Sequence, residues 1–260
     1  MTTNNQNVKD VLIIIPAYNE RGNIEKLINQ LRCPEITQIA DILVMNDAST
    51  DGTNRAISQK TIAVVTHVFN LGYGSGLQLG YKYAIRRGYK YIIQMDADGQ
   101  HDPCNILNIY ERLKNPNGAG IYPDIVLGSR YVEGSSTYKV SAIRKISIRA
   151  FSFLIYLVTG KWIKDPTSGL QGLNRKTALY YSMYNGFDDR YPDTNMIMQM
   201  MLLDFCVDEI PAVMHQREIG VGMHHGFKTV KYMFRMALSI LAVLIRIKLL
   251  KLETSVPNEI

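Results

Sequence analysis

The sequence predicts an α/β protein: an open, mostly parallel sheet with helices on both faces, followed by amphipathic C-terminal helices. Three observations predict it. Short apolar runs rich in β-branched residues recur through the first half. Segments with helical apolar spacing lie between them, and polar clusters fall where the apolar runs end. That alternation is the signature of strand–helix–strand units with parallel strands. In such sheets ligands sit beyond the carboxyl ends of the strands, which makes the polar clusters candidate site residues.

Taken in order, Val11-Leu-Ile-Ile-Ile15 is a continuous apolar run, the pattern of a strand buried on both faces, and Pro16 ends it. Ile24, Leu27, Ile28 and Leu31 then recur at helical spacing. Asp41–Met45 reads as a second strand, and Ser49-Thr-Asp-Gly-Thr53 caps the start of the next helix. Thr61–Phe69, Tyr91–Met95 and Asp124–Leu127 supply a third, fourth and fifth strand. After Arg130 the texture changes: Lys139–Gly160 is basic and then apolar, one or two amphipathic helices. Asp165-Pro-Thr-Ser-Gly169 is a loop, Thr194–Leu203 a Met-rich helix, and Phe205–Met214 a late strand.

No repeat or flexible linker interrupts the chain. It divides into a strand–helix half (8–130), a second half of different texture (131–227) and a basic tail (228–260). With 260 residues, 47% of them hydrophobic, it has ample material for a core and is not a disordered chain. Three scattered cysteines exclude a disulfide scaffold and fit a reducing compartment. The polar N-terminus carries no signal-peptide pattern, so the expected place is the cytoplasmic side. In the tail, Lys228, Lys231, Arg235, Arg246, Lys248 and Lys251 flank the apolar run Met236–Ile245. That run is about half the ~20 residues a spanning helix needs. It reads as a helix lying in a membrane interface or packed on a core or partner, not as a nucleic-acid patch, because no stacking aromatics accompany the cations.

The sharpest chemical signal is Asp96-Ala-Asp98 at the end of an apolar strand. Two carboxylates at i and i+2 reach one hard divalent cation. Mg²⁺ takes one or two protein carboxylates and completes its shell with water and substrate phosphate. Gln100 adds a neutral oxygen. An acidic turn that only solvates the strand end has the same sequence.

Four motifs in order, Pro16-Ala-Tyr-Asn-Glu20, Asn46-Asp47, Asp96-Ala-Asp-Gly-Gln-His101 and Asp165-Pro-Thr-Ser-Gly169, resemble glycosyltransferase family 2, whose fold is GT-A. The branch most similar includes dolichyl-phosphate mannose synthase and the bacterial polyprenyl-phosphate glycosyltransferases. The resemblance covers about Val11 to Lys228. It implies that Pro16, Ala17, Tyr18, Glu20, Asp47, Gly72 and Asp96 bind a nucleotide diphosphate sugar (UDP- or GDP-linked). It implies Mg²⁺ or Mn²⁺ at Asp96, Asp98 and Gln100, and phosphate or acceptor contacts from Arg130, Arg144, Asp165, Ser168 and Lys228. Asp98, Arg130 and Asp193 are the catalytic candidates. The usual second-strand aspartate pair is Asn46-Asp47 here. A lysine often found in the glycine-rich turn Leu71–Gly76 is missing, and that turn reads more as packing or backbone approach than as a ligand contact. A dinucleotide reading of the turn fails because Leu77 stands where a glycine is needed.

The acceptor follows from proton chemistry. A sugar hydroxyl needs a general base, which the family supplies from a Glu-Asp pair; here that pair is absent and Asp193 stands nearest. A lipid phosphate, with a second pKa of about 6, is already mostly an oxyanion at neutral pH and needs orientation rather than deprotonation. The expected reaction is therefore inverting, metal-dependent transfer to a polyprenyl or dolichyl phosphate by a peripheral membrane enzyme, working alone, as a homo-oligomer or with a small membrane partner. Transfer to a glycan hydroxyl with Asp193 as base, or a non-catalytic membrane adaptor, are the alternatives.

Overall fold

The computed structural model describes residues 9–138, 140–189, 192–217 and 227–251, with the backbone alone for 227–231. The expected alternation is present as β1 (Val11–Ala17), α1 (Arg21–Leu31), a one-turn α2 (Pro34–Thr37), β2 (Ala40–Asn46), α3 (Thr53–Ser58) and β3 (Ala63–Thr66). It continues through α4 (Tyr73–Arg87), β4 (Tyr91–Gln94), α5 (Cys104–Lys114) and β5 (Ile125–Ser129). Then follow α6 (Ala142–Thr159), β6 (Gln171–Asn174), α7 (Arg175–Ser182), α8 (Thr194–Leu202), β7 (Val207–Pro211) and α9 (Phe227–Leu244), which runs into a π-helical turn at Ile245–Leu249.

The strands form one seven-stranded sheet in the order β3-β2-β1-β4-β6-β5-β7. β3, β2, β1 and β4 are parallel, β6 runs antiparallel to both β4 and β5, and β5 is parallel to β7. The sheet therefore continues unbroken past residue 130. β1 is central, and Val11 through Ile15 are 0% exposed, which explains why the run does not alternate polar with apolar. Its side chains still alternate between layers. Val11, Ile13 and Ile15 pack under α1 and α5, and Leu12 and Ile14 pack under α4 with Leu77, Tyr81 and Ala84. Each such side chain taken from water contributes about 1.5–3 kcal/mol.

Two glycines set how closely helices ride on the sheet. A Cβ at Gly80 of α4 would lie 2.8 Å from Ile14 Cγ2, and one at Gly172 of β6 would lie 2.1 Å from Ile109 Cγ2 of α5. β6 and α7 have no counterpart in the sequence expectation, because β6 is short, polar at both ends and carries that glycine. α9 lays Met236, Ile240 and Val243 into the core on α8, every one of whose apolar residues up to Met201 is buried. No helix among the described residues is long and apolar enough to cross a membrane.

Candidate functional site

The strand ends converge as the parallel order requires. Loop 18–20 follows β1, Asn46-Asp47 closes β2, and Asp96–Asp98 follows β4, whose neighbour across the sheet is β1. Asp96 is held from several sides. Tyr73, in the first turn of α4, donates its hydroxyl to Asp96 Oδ1 at 2.9 Å. The Asp96 amide donates to Nδ1 of buried His101 at 3.3 Å. Gly169 packs so close that a Cβ there would lie 2.6 Å from Asp96 Oδ2. Asp98 Oδ1 accepts the Gln100 amide at 3.0 Å, which folds the turn, and the Gln100 side chain donates to His215 O at 3.5 Å.

Burial, and then the charge of Asp96, push the Asp98 carboxyl above the ordinary carboxylate range. Two like charges held together in a partly desolvated turn are the donor set that a hard cation relieves. Among the described residues no group of three His, Cys, Asp or Glu side chains gathers, so the protein offers two carboxylates and leaves the remaining positions to neutral oxygens. That set fits Mg²⁺ or Mn²⁺, which complete their shells with water and phosphate.

Arg217 was not singled out by any motif. Its guanidinium joins Glu20 Oε1 at 2.6 Å and reaches Asp98 Oδ2 at 3.5 Å, tying the β1 loop to the acidic turn. Glu20 Oε2 accepts from Asn23 at 2.7 Å, so Glu20 is committed to framing this edge. Pro16 and Ala17 are the last residues of β1, and Tyr18 beyond them is exposed.

Asp47 is turned inward. Its carboxylate accepts from the Leu71 amide at 2.8 Å and the Gly72 amide at 2.9 Å, and pairs with His67 Nδ1 at 2.8 Å. That capture turns residues 68–72 away, while the His67 amide still donates to Asn46 O at 2.9 Å, so β3 ends at Thr66 rather than at the expected Phe69. It also occupies the oxygens expected to meet a ribose or base. Gly72 has φ +96°, a conformation suited to glycine. Gly74 is the close approach expected of the glycine-rich turn: a Cβ there would lie 2.2 Å from Asp188 O.

On the acceptor side the structure departs from the expected roles. Arg130 and Asp165 are 5% and 0% exposed and hold each other. Arg130 Nε donates to Asp165 Oδ2 at 2.7 Å and Nη2 to Oδ1 at 2.6 Å, while the Arg130 amide reaches Oδ2 at 2.9 Å. Nη2 also donates to Thr167 Oγ1 at 2.8 Å. A guanidinium held this way braces the 165–169 loop. Ser168, buried, donates to Gly128 O at 2.6 Å and pins the same loop to β5. Arg144, in the first turn of α6, is half-buried and keeps the expected cationic role open. The side chain of Lys228 lies outside the described residues.

Asp193 stands immediately before α8. Burial pushes its carboxyl up to about 6, against the opposing pull of a hydrogen bond from Tyr232 and of the Arg130 and Arg144 charges; Asp165 adds to the rise. Tyr232 Oη donates to Asp193 Oδ2. Tyr73 sits within the glycine-rich turn without being singled out, and Tyr232, like Arg217, lies in no motif. The signal available in the sequence was its place on the inner face of an amphipathic helix.

Residues 12–179 match the pattern of Glycosyl transferase family 2. Polyprenol monophosphomannose synthase of Mycolicibacterium smegmatis is 28% identical over 235 residues, 87% of this chain and 85% of its own. Undecaprenyl-phosphate mannosyltransferase of Micrococcus luteus is 28% identical over 222 residues, covering 83% of this chain and 88% of the relative. Among solved structures, glucosyl-3-phosphoglycerate synthase from Mycobacterium tuberculosis in complex with Mn²⁺, UDP and phosphoglyceric acid superposes with a TM-score of 0.64 at 15% identity. The superposition covers 96% of this chain and 80% of that one, and it shows the shared fold.

Proposed function

The chain belongs to glycosyl transferase family 2 and is a glycosyltransferase; from that premise we propose that it moves a sugar from a nucleotide diphosphate sugar to a polyprenyl phosphate at the cytoplasmic face of a membrane, with inversion. The observation that carries this reading is the reach of α9 into the site. Its inner face supplies Tyr232 to Asp193, and its outer face exposes Phe234, Leu238 and Leu241, with Arg235 and Lys248 also exposed. α6 continues that surface: Ser147 Oγ lies 3.0 Å from Met233 Sδ, and Ile143, Ile146, Phe153 and Leu157 are exposed with Lys145 and Arg149. Exposed apolar rows bordered by cations suit an anionic lipid interface. An acceptor anchored in lipid would then present its phosphate on the side of the site where α6 and α9 meet it.

In this reading Tyr18 and Gly72 border the base and ribose, and Asp47 shapes the loop around them. Asp96, Asp98 and Gln100 hold the metal, which when bound supplies a Lewis acid that neutralises the departing diphosphate. Arg144 meets the acceptor phosphate, while the Arg130–Asp165 pair keeps the 165–169 loop against Asp96. The acceptor oxygen attacks the anomeric carbon opposite the leaving diphosphate, so a single displacement inverts that centre.

One observation favours a second reading. A carboxyl poised at about 6 is a competent general base for a glycan hydroxyl. The test begins with a thermal-shift panel of UDP and GDP with Mn²⁺, because only the matched base stabilises the fold by mass action. Transfer from the matching sugar donor to citronellyl phosphate is then assayed at pH 7.5 with wild type and Asp193→Asn. Activity of the variant within about tenfold supports the phosphate acceptor. No transfer to citronellyl phosphate by wild type, with transfer to a glycan hydroxyl lost about 10²-fold or more in Asp193→Asn, supports the hydroxyl.

A further inference from the structure

The acidic turn presents fewer oxygens than its two carboxylates contain. Asp98 Oδ1 accepts the Gln100 amide at 3.0 Å, and Asp96 Oδ1 accepts the Tyr73 hydroxyl at 2.9 Å. Among the described residues no hydrogen bond reaches Asp96 Oδ2, and Asp98 Oδ2 stands 3.5 Å from Arg217. Each carboxylate therefore commits one oxygen internally and keeps the other for a ligand. The Gln100 side-chain nitrogen turns to His215 O at 3.5 Å, which leaves the Gln100 oxygen as a neutral donor atom.

The two restraints differ in kind. The Gln100 amide belongs to the turn itself, whereas Tyr73 comes from α4, 23 residues away in sequence. The backbone around Tyr73 has little freedom. Just before it, Asp47 holds the amides of Leu71 and Gly72. Just after it, the Ser75 amide donates to Asp189 O at 3.0 Å, and a Cβ at Gly74 would lie 2.2 Å from Asp188 O. The Tyr73 side chain packs against the core beneath α4, so its hydroxyl is delivered to a fixed point. The 165–169 loop walls the other side of Asp96: a Cβ at Gly169 would lie 2.6 Å from Oδ2 and 3.3 Å from Oδ1. To give both oxygens to one ion, Asp96 would have to turn away from that wall and release the tyrosine.

Cation chemistry gives this arrangement a consequence. Ca²⁺ takes roughly six to eight oxygens and readily uses a carboxylate through both of its own. Mg²⁺ demands near-octahedral geometry and keeps several waters, which the narrow bite of a bidentate carboxylate does not suit. We propose that the Tyr73 hydroxyl determines ion specificity: it keeps Asp96 to one free oxygen and so favours a small octahedral cation over Ca²⁺. Tyr73 acts through Asp96 and is a positioning residue. The inference rests on the reading of Asp96, Asp98 and Gln100 as the residues that hold the metal.

Competition between ions tests this without donor or acceptor. Mn²⁺ binding to the full chain is followed by electron paramagnetic resonance, with Ca²⁺ or Mg²⁺ titrated in as competitor. Wild type should release Mn²⁺ to Mg²⁺ more readily than to Ca²⁺. Tyr73→Phe keeps the ring and removes the donor, which frees Asp96 to chelate through both oxygens. Groups that orient metal ligands typically move affinity by about 10–100-fold, so the Ca²⁺-to-Mg²⁺ competition ratio should rise about tenfold or more in the variant. A tyrosine that only stabilises the fold moves both competitors together. Equal competition by the two ions in wild type, or an unchanged ratio in Tyr73→Phe, overturns the inference and leaves the metal site standing. Loss of every ion from a variant with the wild-type circular-dichroism spectrum also overturns it, because the hydroxyl then builds the site rather than selecting within it. No Mn²⁺ held by wild type overturns the metal reading itself.

Discussion

Replacing Asp165 with Asn separates bracing from ligand binding at the acceptor side. Asp165 is 0% exposed and receives three N–H groups of Arg130, at 2.9, 2.7 and 2.6 Å. The substitution keeps shape and removes the charge, so a buried guanidinium is left without its counter-ion. Breaking a buried pair from one side costs about 3–5 kcal/mol. For 260 residues the melting entropy is about 2.1 cal/mol/K per residue, near 0.55 kcal/mol/K, so the melting temperature should fall by about 5–9 °C. Circular-dichroism melts measure this directly. Arg130→Met should fall by a similar amount. The pair Arg130→Met with Asp165→Leu should recover most of the loss, because removing both charges leaves neither stranded. If Arg130→Met instead melts within about 2 °C of wild type but no longer binds citronellyl phosphate, the guanidinium serves the ligand and the bracing argument fails.

Gly74→Ala puts a Cβ 2.2 Å from a backbone oxygen of Asp188, which cannot move as a side chain can, so a loss of about 1–3 kcal/mol in urea titrations is expected together with weaker nucleotide binding. Asp98→Asn should weaken Mn²⁺ binding at least tenfold by electron paramagnetic resonance, and unchanged affinity would remove the acidic turn from the metal's site. The Asp193 carboxyl is raised from 3.8 to about 6 in the fold, so the stability it contributes is complete below pH 3.8 and is lost as pH rises through 6. Asp193→Asn should flatten that fall across pH 4–7 by on the order of 1–2 kcal/mol, after allowance for its partial exposure; a wild-type slope kept by the variant assigns the titration elsewhere. Trp162, the chain's single tryptophan and half-exposed at the end of α6, should shift its emission to shorter wavelength on vesicles containing phosphatidylglycerol and not on phosphatidylcholine alone; no shift on either places that face away from lipid.

The centre of the parallel half was legible because β1 and most of β2 and β4 are buried, which forces unbroken apolar runs such as Val11–Ile15 that no amphipathic helix would carry. The Met-rich helix was legible because almost all of it is buried, whereas the late strand β7 is only partly buried and carries Asp208 and Glu209. β6 was not: its Gln171, Gly172 and Asn174 meet sheet neighbours and α5 at positions where small or polar groups are required, and such residues read as loop. Its antiparallel course is a tertiary fact, set by pairing with β4 and β5 rather than by anything local.

The site divides by the same rule. Asp96 and Asp98 could be placed on one turn from the sequence because the apolar run of β4 fixes where the strand ends. Arg130, Asp165 and Ser168 were recognisable as a group, but their direction was not. Whether an arginine faces a ligand or a buried aspartate depends on which charge the fold delivers to it, and the partner lies 35 residues away. The same holds for Asp47, whose carboxylate meets the 71–72 amides only after the loop has folded back over β2. Tyr73, Arg217 and Tyr232 show the opposite case, ordinary residues given consequence by position. Each joins two elements distant in sequence, α4 to the acidic turn, the segment after β7 to the β1 loop, and α9 to the turn before α8. Motif spacing therefore places polar groups on a fixed strand end. The groups that orient them are chosen by packing, and only the assembled sheet and helices reveal them.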